Sequence, residues 1–329
     1  MPNSATLFTL TELREAARSV HAVMPPTPQY AWPRLAEATG CQVWVKHENH
    51  TPTGAFKVRG GLLYMEALRR NGGPIKGIIT ATRGNHGQSI AFSAARNGIP
   101  ATIFVPRGNA ADQNAAMRAF GANVIEHGRD FDEAREECAR LAAEQGLHFI
   151  PSFHRDLAKG VATYALELFE AVPPLDTVYV PIGMGSGIVG LITTRDLLGL
   201  KTEIVGVVAQ NAPAMALSFQ AGRSIPTPSA KTFADGVATR QPDDLAVGII
   251  HAGAARIVQV SEDEIAAAVR TYFQTTHHVV EGAGATPLAA LLQERARMGG
   301  KSVGLIMTGC NIDAAVYERI LSGQTPQVS

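Results

Sequence analysis

The chain has 329 residues, of which 46% are hydrophobic and 18% are charged. This length and composition are typical of a folded protein with two domains and argue against disorder. The 29 lysines and arginines balance 29 aspartates and glutamates. No net charge therefore draws the protein to nucleic acid or to an anionic membrane, and we expect its partner to be a small organic molecule.

The cysteines and the N-terminus indicate the cellular compartment. Cys41, Cys138 and Cys310 are far apart and form no Cys-x-x-Cys pair, which argues against a disulfide framework or a zinc knuckle. The N-terminus has no basic stretch followed by an apolar run, and no segment is apolar over the roughly 18 residues that a membrane helix needs. We therefore expect a cytoplasmic protein.

The first half of the chain settles into alternating helices and strands. Thr9 and Glu12 have capping-box spacing and predict a helix that ends near Val23, before a run of prolines. Hydrophobic periodicity and turn residues then predict strands at 42–46, 77–82, 101–105, 122–126 and 147–150, and helices at 58–70, 86–97, 110–120 and 130–145.

The second half repeats this alternation. We predict strands at 177–181, 203–208, 257–260 and 302–307, and helices at 156–171, 188–198, 212–221, 261–276, 287–298 and 312–321. Residues 222–251 contain prolines and few periodic runs, and we expect a long irregular crossover there. The alternation predicts an α/β fold of two domains, each a mostly parallel sheet flanked by helices. We assign residues 52–151 to a small domain and residues 1–51 and 152–329 to a large one.

Ligands of parallel α/β sheets bind beyond the carboxyl ends of the strands, so the residues that follow each strand are of interest. Residues 82–88 lie between a strand and a helix. Their backbone N–H groups and the positive end of the helix dipole suit a carboxylate or a phosphate. An ordinary turn, in which Asn85 caps its own helix, is compatible with this interpretation.

A second strand-to-helix connection, residues 181–190, has glycines at alternate positions. Such a backbone can fold into a nest that binds an anion. Residues 185–190 also match the dinucleotide fingerprint, but an NAD site needs an acidic residue after the next strand, and Ala209 and Gln210 stand there instead. A single phosphate is the better interpretation, and an NAD-dependent dehydrogenase is the remote alternative.

Four further features concern possible catalytic groups. Thr308 and Gly309 follow the last predicted strand, where a hydroxyl suits a ring nitrogen or a simple turn. His47 and His50 lack the spacing of a zinc protease motif, so we expect no metal there. No Gly-x-Ser-x-Gly elbow of a serine hydrolase occurs. Lys57 lies in a turn-rich loop and, taken alone, would be interpreted as a surface lysine.

Taken together, several motifs resemble those of one family. They are Glu48-Asn49, Pro52-Thr53-Gly54-Ala55-Phe56-Lys57-Val58-Arg59-Gly60, Gly84-Asn85-His86-Gly87-Gln88, the glycine loop at 183–187, Val280-Glu281-Gly282-Ala283-Gly284-Ala285 and Thr308-Gly309-Cys310-Asn311. This ordered set is similar to that of the fold-type II pyridoxal-phosphate enzymes, which have a tryptophan synthase β-like fold. Within that family the chain most resembles the threonine/serine dehydratases, over almost its whole length.

The resemblance implies a role for each motif. Lys57 would hold pyridoxal 5'-phosphate as the Schiff-base lysine with Phe56 beside it, Asn85 would bind the phenolic oxygen, and Thr308 would face the pyridine nitrogen. The large domain would bind the cofactor phosphate through the loop amides of Gly183, Met184, Gly185, Ser186 and Gly187. The substrate carboxylate would lie against the loop that contains Thr82, Arg83, Gly84 and His86.

The chemistry implied by the resemblance is β-elimination. Lys57 would remove the Cα proton of a β-hydroxy amino acid such as threonine or serine, and the products would be a 2-oxo acid and ammonia. A neutral Thr308 hydroxyl leaves the pyridine largely unprotonated, which suits elimination better than transamination. The partner would be the amino-acid substrate, and the protein would form a homo-oligomer, either a dimer or a tetramer.

Some positions depart from the family pattern. Met184 and Ser186 replace glycines of the usual four-glycine run. Relatives that bind a cation have acidic residues where this chain has Val208 and Ala214, so we expect no metal ion.

Arg83 is the departure that bears most on the substrate. Serine racemases place a second serine there as an acid/base, whereas arginine is a poor proton shuttle, so racemisation is disfavoured. Arg83 would instead contact the carboxylate of 3-hydroxyaspartate or the ring of phenylserine. A salt bridge at the start of the helix is the other interpretation, and both stay open at this point.

Overall fold

The computed structural model describes residues 7–327, whose strands form two sheets. The strands are β1 (Gln29–Ala31), β2 (Gln42–His47), β3 (Ile78–Ala81), β4 (Ala101–Val105), β5 (Asn123–Glu126), β6 (His148–Phe149), β7 (Thr177–Pro181), β8 (Glu203–Ala209), β9 (Arg256–Val260) and β10 (Ser302–Met307). The first sheet has the order β1-β2-β10-β7-β8-β9 and the second β5-β4-β3-β6.

The helices flank these sheets. They are α1 (Leu10–His21), α2 (Pro33–Thr39), α3 (Lys57–Arg70), α4 (Asn85–Arg96), α5 (Ala111–Ala119), α6 (Phe131–Gln145), α7 (Arg155–Ala171), α8 (Ser186–Leu197), α9 (Ala214–Ala221), α10 (Asp244–Gly253), α11 (Glu262–Thr276), α12 (Gly282–Gln293), α13 (Arg295–Met298) and α14 (Ala314–Leu321), with a 3-10 turn at Asp235–Val237. Among residues 7–327, no helix has both the length and the apolar character needed to cross a lipid bilayer.

Both sheets are parallel except where β1 joins β2. The predicted α/β class with mostly parallel sheets is therefore confirmed. Strands β7, β8 and β10 are buried along nearly their whole length, as expected for parallel strands covered by helices on both faces. All strands of the four-stranded sheet lie within residues 78–149, and the six-stranded sheet draws its strands from the segments before and after them. The domain boundaries themselves remain a prediction.

The prediction of an irregular crossover over residues 222–251 is wrong in part. Helix α10 begins within it, where the Asp243 carboxylate accepts a hydrogen bond of 3.0 Å from the N–H of Ala246. Strand β1 and helix α2, which are three and seven residues long, were not predicted from the sequence. Helix α12 begins at Gly282, five residues before Pro287. Burial of this apolar helix on nearly all sides outweighs the single backbone hydrogen bond that proline cannot make.

Helices α3 and α7 pack closely at the junction of the two sheets. A Cβ at Gly160 would lie 2.3 Å from the carbonyl oxygen of Arg59, and one at Gly60 would lie 2.8 Å from that of Leu157. The buried Arg59 guanidinium donates hydrogen bonds to the carboxylates of Glu48 and Glu167. Close backbone contact and paired charge thus fix the position of α3, whose first residue is Lys57.

Candidate active site

The loop before α3 lies against the residues that follow β10. The N–H of Phe56 donates to the carbonyl oxygen of Thr308 at 3.0 Å, and the N–H of Cys310 donates to that of Gly54 at 2.9 Å. Ala55 and Gly309 are paired between them as an antiparallel bridge. This pairing brings Thr308, which is 2% exposed, next to the segment that carries Lys57.

Lys57 is a half-buried residue whose amine contacts a hydroxyl group. Its Nζ donates a hydrogen bond of 3.0 Å to Ser186 Oγ and lies 4.8 Å from the centre of the Phe56 ring. Burial lowers the pKa of Lys57 to about 8, because removal from water disfavours the charged ammonium. About a tenth of an amine with this pKa is unprotonated at pH 7, far more than for an ordinary lysine, and the neutral amine is the form that acts as a nucleophile or a base.

Ser186 belongs to the glycine loop at 183–187, which connects β7 to α8. Gly185 has φ +97°, a backbone conformation that favours glycine. A Cβ at Gly183 would lie 2.3 Å from the carbonyl oxygen of Gly236. Backbone N–H groups at the start of α8 have no partner within the helix, and with the helix dipole they suit an anion such as phosphate.

The two departures from the four-glycine pattern are accommodated in this loop. The Met184 side chain packs against the hydrophobic core beneath the six-stranded sheet. Ser186 is buried and turns its hydroxyl toward the amine of Lys57. The positions that need the absence of a side chain, Gly183 and Gly185, are glycines.

Asn85 takes part in a polar network rather than capping its own helix. The N-cap of α4 is Gly84, which has no side chain, and the Asn85 side chain bonds to Glu281 and Asn311 instead of to the helix start. The capping interpretation of Asn85 is therefore wrong. Asn85 Nδ2 donates to the two carboxylate oxygens of Glu281 at 2.9 and 3.0 Å, and its Oδ1 accepts a hydrogen bond of 2.7 Å from Asn311 Nδ2. Asn85 therefore joins the start of α4 to the segments that precede α12 and follow β10.

Glu281 was assigned no role from the sequence, although it belongs to the Glu-Gly-Ala-Gly motif that resembles the family's. The pKa of Glu281 is raised to about 7, mainly because the carboxyl group is buried. The nearby Asp235 raises this pKa further, and the hydrogen bond to Asn85 opposes the shift. A carboxyl group that titrates near neutral pH can both donate and accept a proton under working conditions. The signal that was available was an acidic residue immediately before a glycine-rich helix start.

The loop at 82–86 lies beside this network. Thr82 Oγ1 accepts hydrogen bonds from the N–H groups of Gly84 and Gly87 at 3.0 and 3.2 Å, so it shapes the loop. Burial, and then the neighbouring charge of Lys57, lower the pKa of His86 to about 3. His86 is therefore neutral at physiological pH, and its Nε2 lies 3.1 Å from Thr80 Oγ1.

Arg83 makes the salt bridge that was one of its two interpretations. Its Nε lies 3.0 Å from Asp235 Oδ1. Asp235 is the first residue of the 3-10 turn whose Gly236 contacts the glycine loop. No sequence signal had singled out Asp235. The pair joins the segment after β3, in the four-stranded sheet, to a segment attached to the other sheet. A role of Arg83 toward the substrate remains a prediction.

A histidine cluster lies at the end of β2. Nitrogen atoms of His47, His50 and His278 lie within 4.8 Å of one another. However, His47 Nε2 accepts a hydrogen bond of 2.9 Å from the indole N–H of Trp32, so the ring proton is on Nδ1 and His47 presents no free lone pair to a metal. Val208 and Ala214 are buried apolar residues. That the protein needs no metal stays a prediction.

The fold and the site together define a class of enzyme. A lysine of lowered pKa lies beside a glycine loop whose geometry suits an anion, at the carboxyl edge of a parallel sheet. This arrangement suits a phosphorylated carbonyl compound bound covalently. The profile of the family described as "Pyridoxal-phosphate dependent enzyme" matches residues 22–309. The chain belongs to this pyridoxal-phosphate-dependent enzyme family.

Known relatives span most of the chain. An L-threonine ammonia-lyase of Thermotoga maritima is 33% identical over 96% of this chain and 79% of its own length. An L-threo-3-hydroxyaspartate ammonia-lyase of Saccharomyces cerevisiae is 32% identical over 96% of this chain and 97% of its own. The solved structure of the processed form of threonine deaminase isoform 2 from Solanum lycopersicum superposes with a TM-score of 0.86 at 27% identity. The match covers 96% of this chain and 94% of that one.

Proposed function

We propose that the protein is a lyase that eliminates water from a β-hydroxy L-amino acid of the threonine or serine type, giving a 2-oxo acid and ammonia. The observation that carries the proposal is the contact between Lys57 Nζ and Ser186 Oγ, because it puts an amine of lowered pKa beside an anion-binding loop. Membership of the pyridoxal-phosphate family supplies the cofactor. The names of relatives that align along nearly the whole chain agree with this activity.

The described residues fit pyridoxal phosphate. Gly183 and Gly185 keep the loop clear of side chains, so we assign the cofactor phosphate to the amides of residues 183–187. We assign the ring to the space between Asn85, which would bind its phenolic oxygen, and Thr308, which would face its nitrogen. Phe56 would lie beside Lys57 and the ring. When bound, the cofactor withdraws electrons from the substrate Cα and acidifies its proton.

The chain's own groups then act on the substrate. The loop of Thr82, Arg83, Gly84 and His86 would bind the α-carboxylate through backbone N–H groups at the start of α4. Lys57, once displaced from covalent attachment, would take the Cα proton, and its pKa of about 8 suits a base at physiological pH. Ser186 would hold the Lys57 amine in position.

Two other activities receive less support. Racemisation needs a proton donor on the opposite face of the substrate. A guanidinium group is a poor proton shuttle, and that of Arg83 is paired with Asp235. NAD-dependent oxidation would need an acidic residue after β8 to bind the ribose, and Gln210 stands there instead. The match to a pyridoxal-phosphate family also gives NAD no role. Elimination of water from 3-hydroxyaspartate or phenylserine would use the same residues, because these substrates differ from serine only in the β-substituent.

A substrate screen tests the proposal. The purified protein, saturated with pyridoxal phosphate, is incubated with L-serine, L-threonine, L-threo-3-hydroxyaspartate and L-threo-phenylserine, and ammonia and 2-oxo acid are measured together. We expect equal amounts of both products from serine or threonine, and none with Lys57→Ala. Release of the D-enantiomer without ammonia would instead establish racemisation.

The assembly and its location are part of the same proposal. We propose a cytoplasmic homo-oligomer, a dimer or a tetramer. We also propose that residues 52–151 form a small domain and residues 1–51 and 152–329 the large, cofactor-binding domain. Light scattering coupled to size-exclusion chromatography measures the assembly. A mass equal to one chain would contradict the oligomer.

A further inference from the structure

The salt bridge between Arg83 and Asp235 lies at the edge of the proposed substrate site. Arg83 precedes Gly84 and Asn85, and Asn85 binds Glu281 through both carboxylate oxygens. Asp235 precedes Gly236, whose carbonyl oxygen abuts Gly183 of the glycine loop. The ion pair therefore connects the loop assigned to the substrate carboxylate with the turn that packs on the loop assigned to the cofactor phosphate.

Both members of the pair are accessible to a ligand. The Arg83 and Asp235 side chains are 42% and 49% exposed, and the bond from Nε to Oδ1 is 3.0 Å long. An ion pair at an accessible position is weak by itself. A β-carboxylate that approached Arg83 would, however, also meet the negative charge of Asp235, and this repulsion is what opposes its binding.

The charge around the pair is mostly negative. Although the Asp235 side chain is open to solvent, the protein atoms around it displace part of its water. This partial desolvation, and then the neighbouring carboxylate of Asp313, raise the pKa of Asp235, whereas Arg83 lowers it. Asp235 in turn is among the groups that raise the pKa of Glu281. Three carboxyl groups thus influence one another here, and Arg83 is the cation paired with Asp235. Any second carboxylate of a substrate at this place would meet Asp235 together with Arg83.

We propose that Asp235 determines substrate specificity by masking the charge of Arg83, so that the enzyme prefers β-hydroxy amino acids with an uncharged β-substituent over those with a β-carboxylate. This inference rests on the proposed function, because it takes the loop at 82–86 as the substrate site. Its physical basis is that specificity arises as much from a repulsive element against the wrong ligand as from attraction to the right one. Arg83 without Asp235 would bind a β-carboxylate through its fork of N–H groups.

The test is a specificity switch in the holoenzyme. Asp235→Asn keeps the size of the side chain and removes its charge. The measured quantity is kcat/KM for L-threo-3-hydroxyaspartate divided by kcat/KM for L-threonine. We expect this ratio to rise at least about tenfold, which corresponds to roughly 1.4 kcal/mol. The double variant Arg83→Ala/Asp235→Asn should lose the gain, because the unmasked cation is then absent.

Asp313→Asn is the matched control. It removes one negative charge near Asp235 but leaves the bond between Arg83 and Asp235 in place, so we expect the ratio to change by less than about twofold. An equal rise in both single variants would mean that overall charge, and not masking of Arg83, sets the preference. That result, or an unchanged ratio in Asp235→Asn, would overturn the inference.

A binding measurement separates this inference from the proposed function. Calorimetric titration of the holoenzyme with malonate and with propionate needs no turnover. We expect Asp235→Asn to tighten malonate binding about tenfold and to leave propionate binding nearly unchanged. An enzyme that binds malonate in this way but eliminates no water would contradict the proposed function alone. Equal affinity of wild type and variant for malonate would contradict the masking of Arg83, whatever the activity.

Discussion

Lys57 and Ser186 are the first residues of α3 and α8, and a hydrogen bond of 3.0 Å joins the lysine Nζ to the serine Oγ. One helix follows the loop that pairs with the end of β10, and the other follows the glycine loop at the end of β7. The contact therefore places the amine beside a helix start that suits an anion. Among residues 7–327, no carboxylate lies within hydrogen-bonding distance of this amine to hold it charged.

The lowered pKa of Lys57 predicts how fast the cofactor attaches at each pH. The neutral amine is the reactive form, and burial lowers the pKa from 10.5 to about 8. When pyridoxal phosphate is mixed with the cofactor-free protein, we expect the attachment rate to rise up to about pH 8 and then level off. Stopped-flow absorbance measures this rate. A rise that continues to pH 10 would show an ordinary lysine.

Glu281 predicts a pH dependence of stability in the cofactor-free protein. Its pKa in the folded protein is raised from 4.5 to about 7, so between these values the folded state binds more protons than the unfolded state. The contribution of Glu281 favours folding below about pH 4.5 and is lost as the pH rises through 7.

The matched variant for this prediction is Glu281→Gln. Between pH 4.5 and 7, the wild type should lose up to about 3 kcal/mol in free energy of unfolding relative to this variant, measured by urea denaturation. Glu318→Gln, which changes an exposed glutamate on α14, should follow the wild type. Parallel curves for wild type and Glu281→Gln would show that Glu281 has an ordinary pKa.

The close contact of Gly160 with α3 predicts that a larger residue at this position lowers the free energy of unfolding. Gly160→Ala would put a Cβ 2.3 Å from the carbonyl oxygen of Arg59, and overpacking of this kind costs about 1–3 kcal/mol. Gly248 on α10 is exposed, and a Cβ there meets no atom within 4 Å. Gly248→Ala should therefore stabilise the protein by about 0.5–1 kcal/mol. Thermal unfolding of the wild type and of both variants measures these changes in stability. Equal changes in the two variants would contradict the close packing of α3 against α7.

Much of the fold was predictable from local pattern. The strands at 101–105, 177–181 and 302–307 have the predicted bounds, because a buried parallel strand is a short apolar run with turn residues at both ends. The helix α12 was placed too late because proline usually marks a helix start, whereas here burial decides. The strand β1 was missed because three residues, two of them exposed, carry no periodic signal.

The residues of the candidate site also differ in whether the sequence indicated them. Asn85, Thr308 and the glycine loop stood out because each follows a strand, whereas Lys57 was singled out only by the resemblance of its motif to that of the family. Their roles toward the cofactor stay predictions. Asp235, Glu281 and Asn311 acquire their roles from contacts with residues far away in the sequence, such as the bond from Asn311 to Asn85. Pairings of this kind depend on how the two sheets meet, and no spacing along the chain records them.

The attachment point of the cofactor tests the account most directly. The holoenzyme is reduced with borohydride, digested and analysed by peptide mass spectrometry, with Lys57→Ala treated in parallel. We predict a phosphopyridoxyl group on Lys57 in the wild type, and no modified peptide in the variant. The same modification on another lysine, or a wild type that binds pyridoxal phosphate without any reducible bond, would contradict the account.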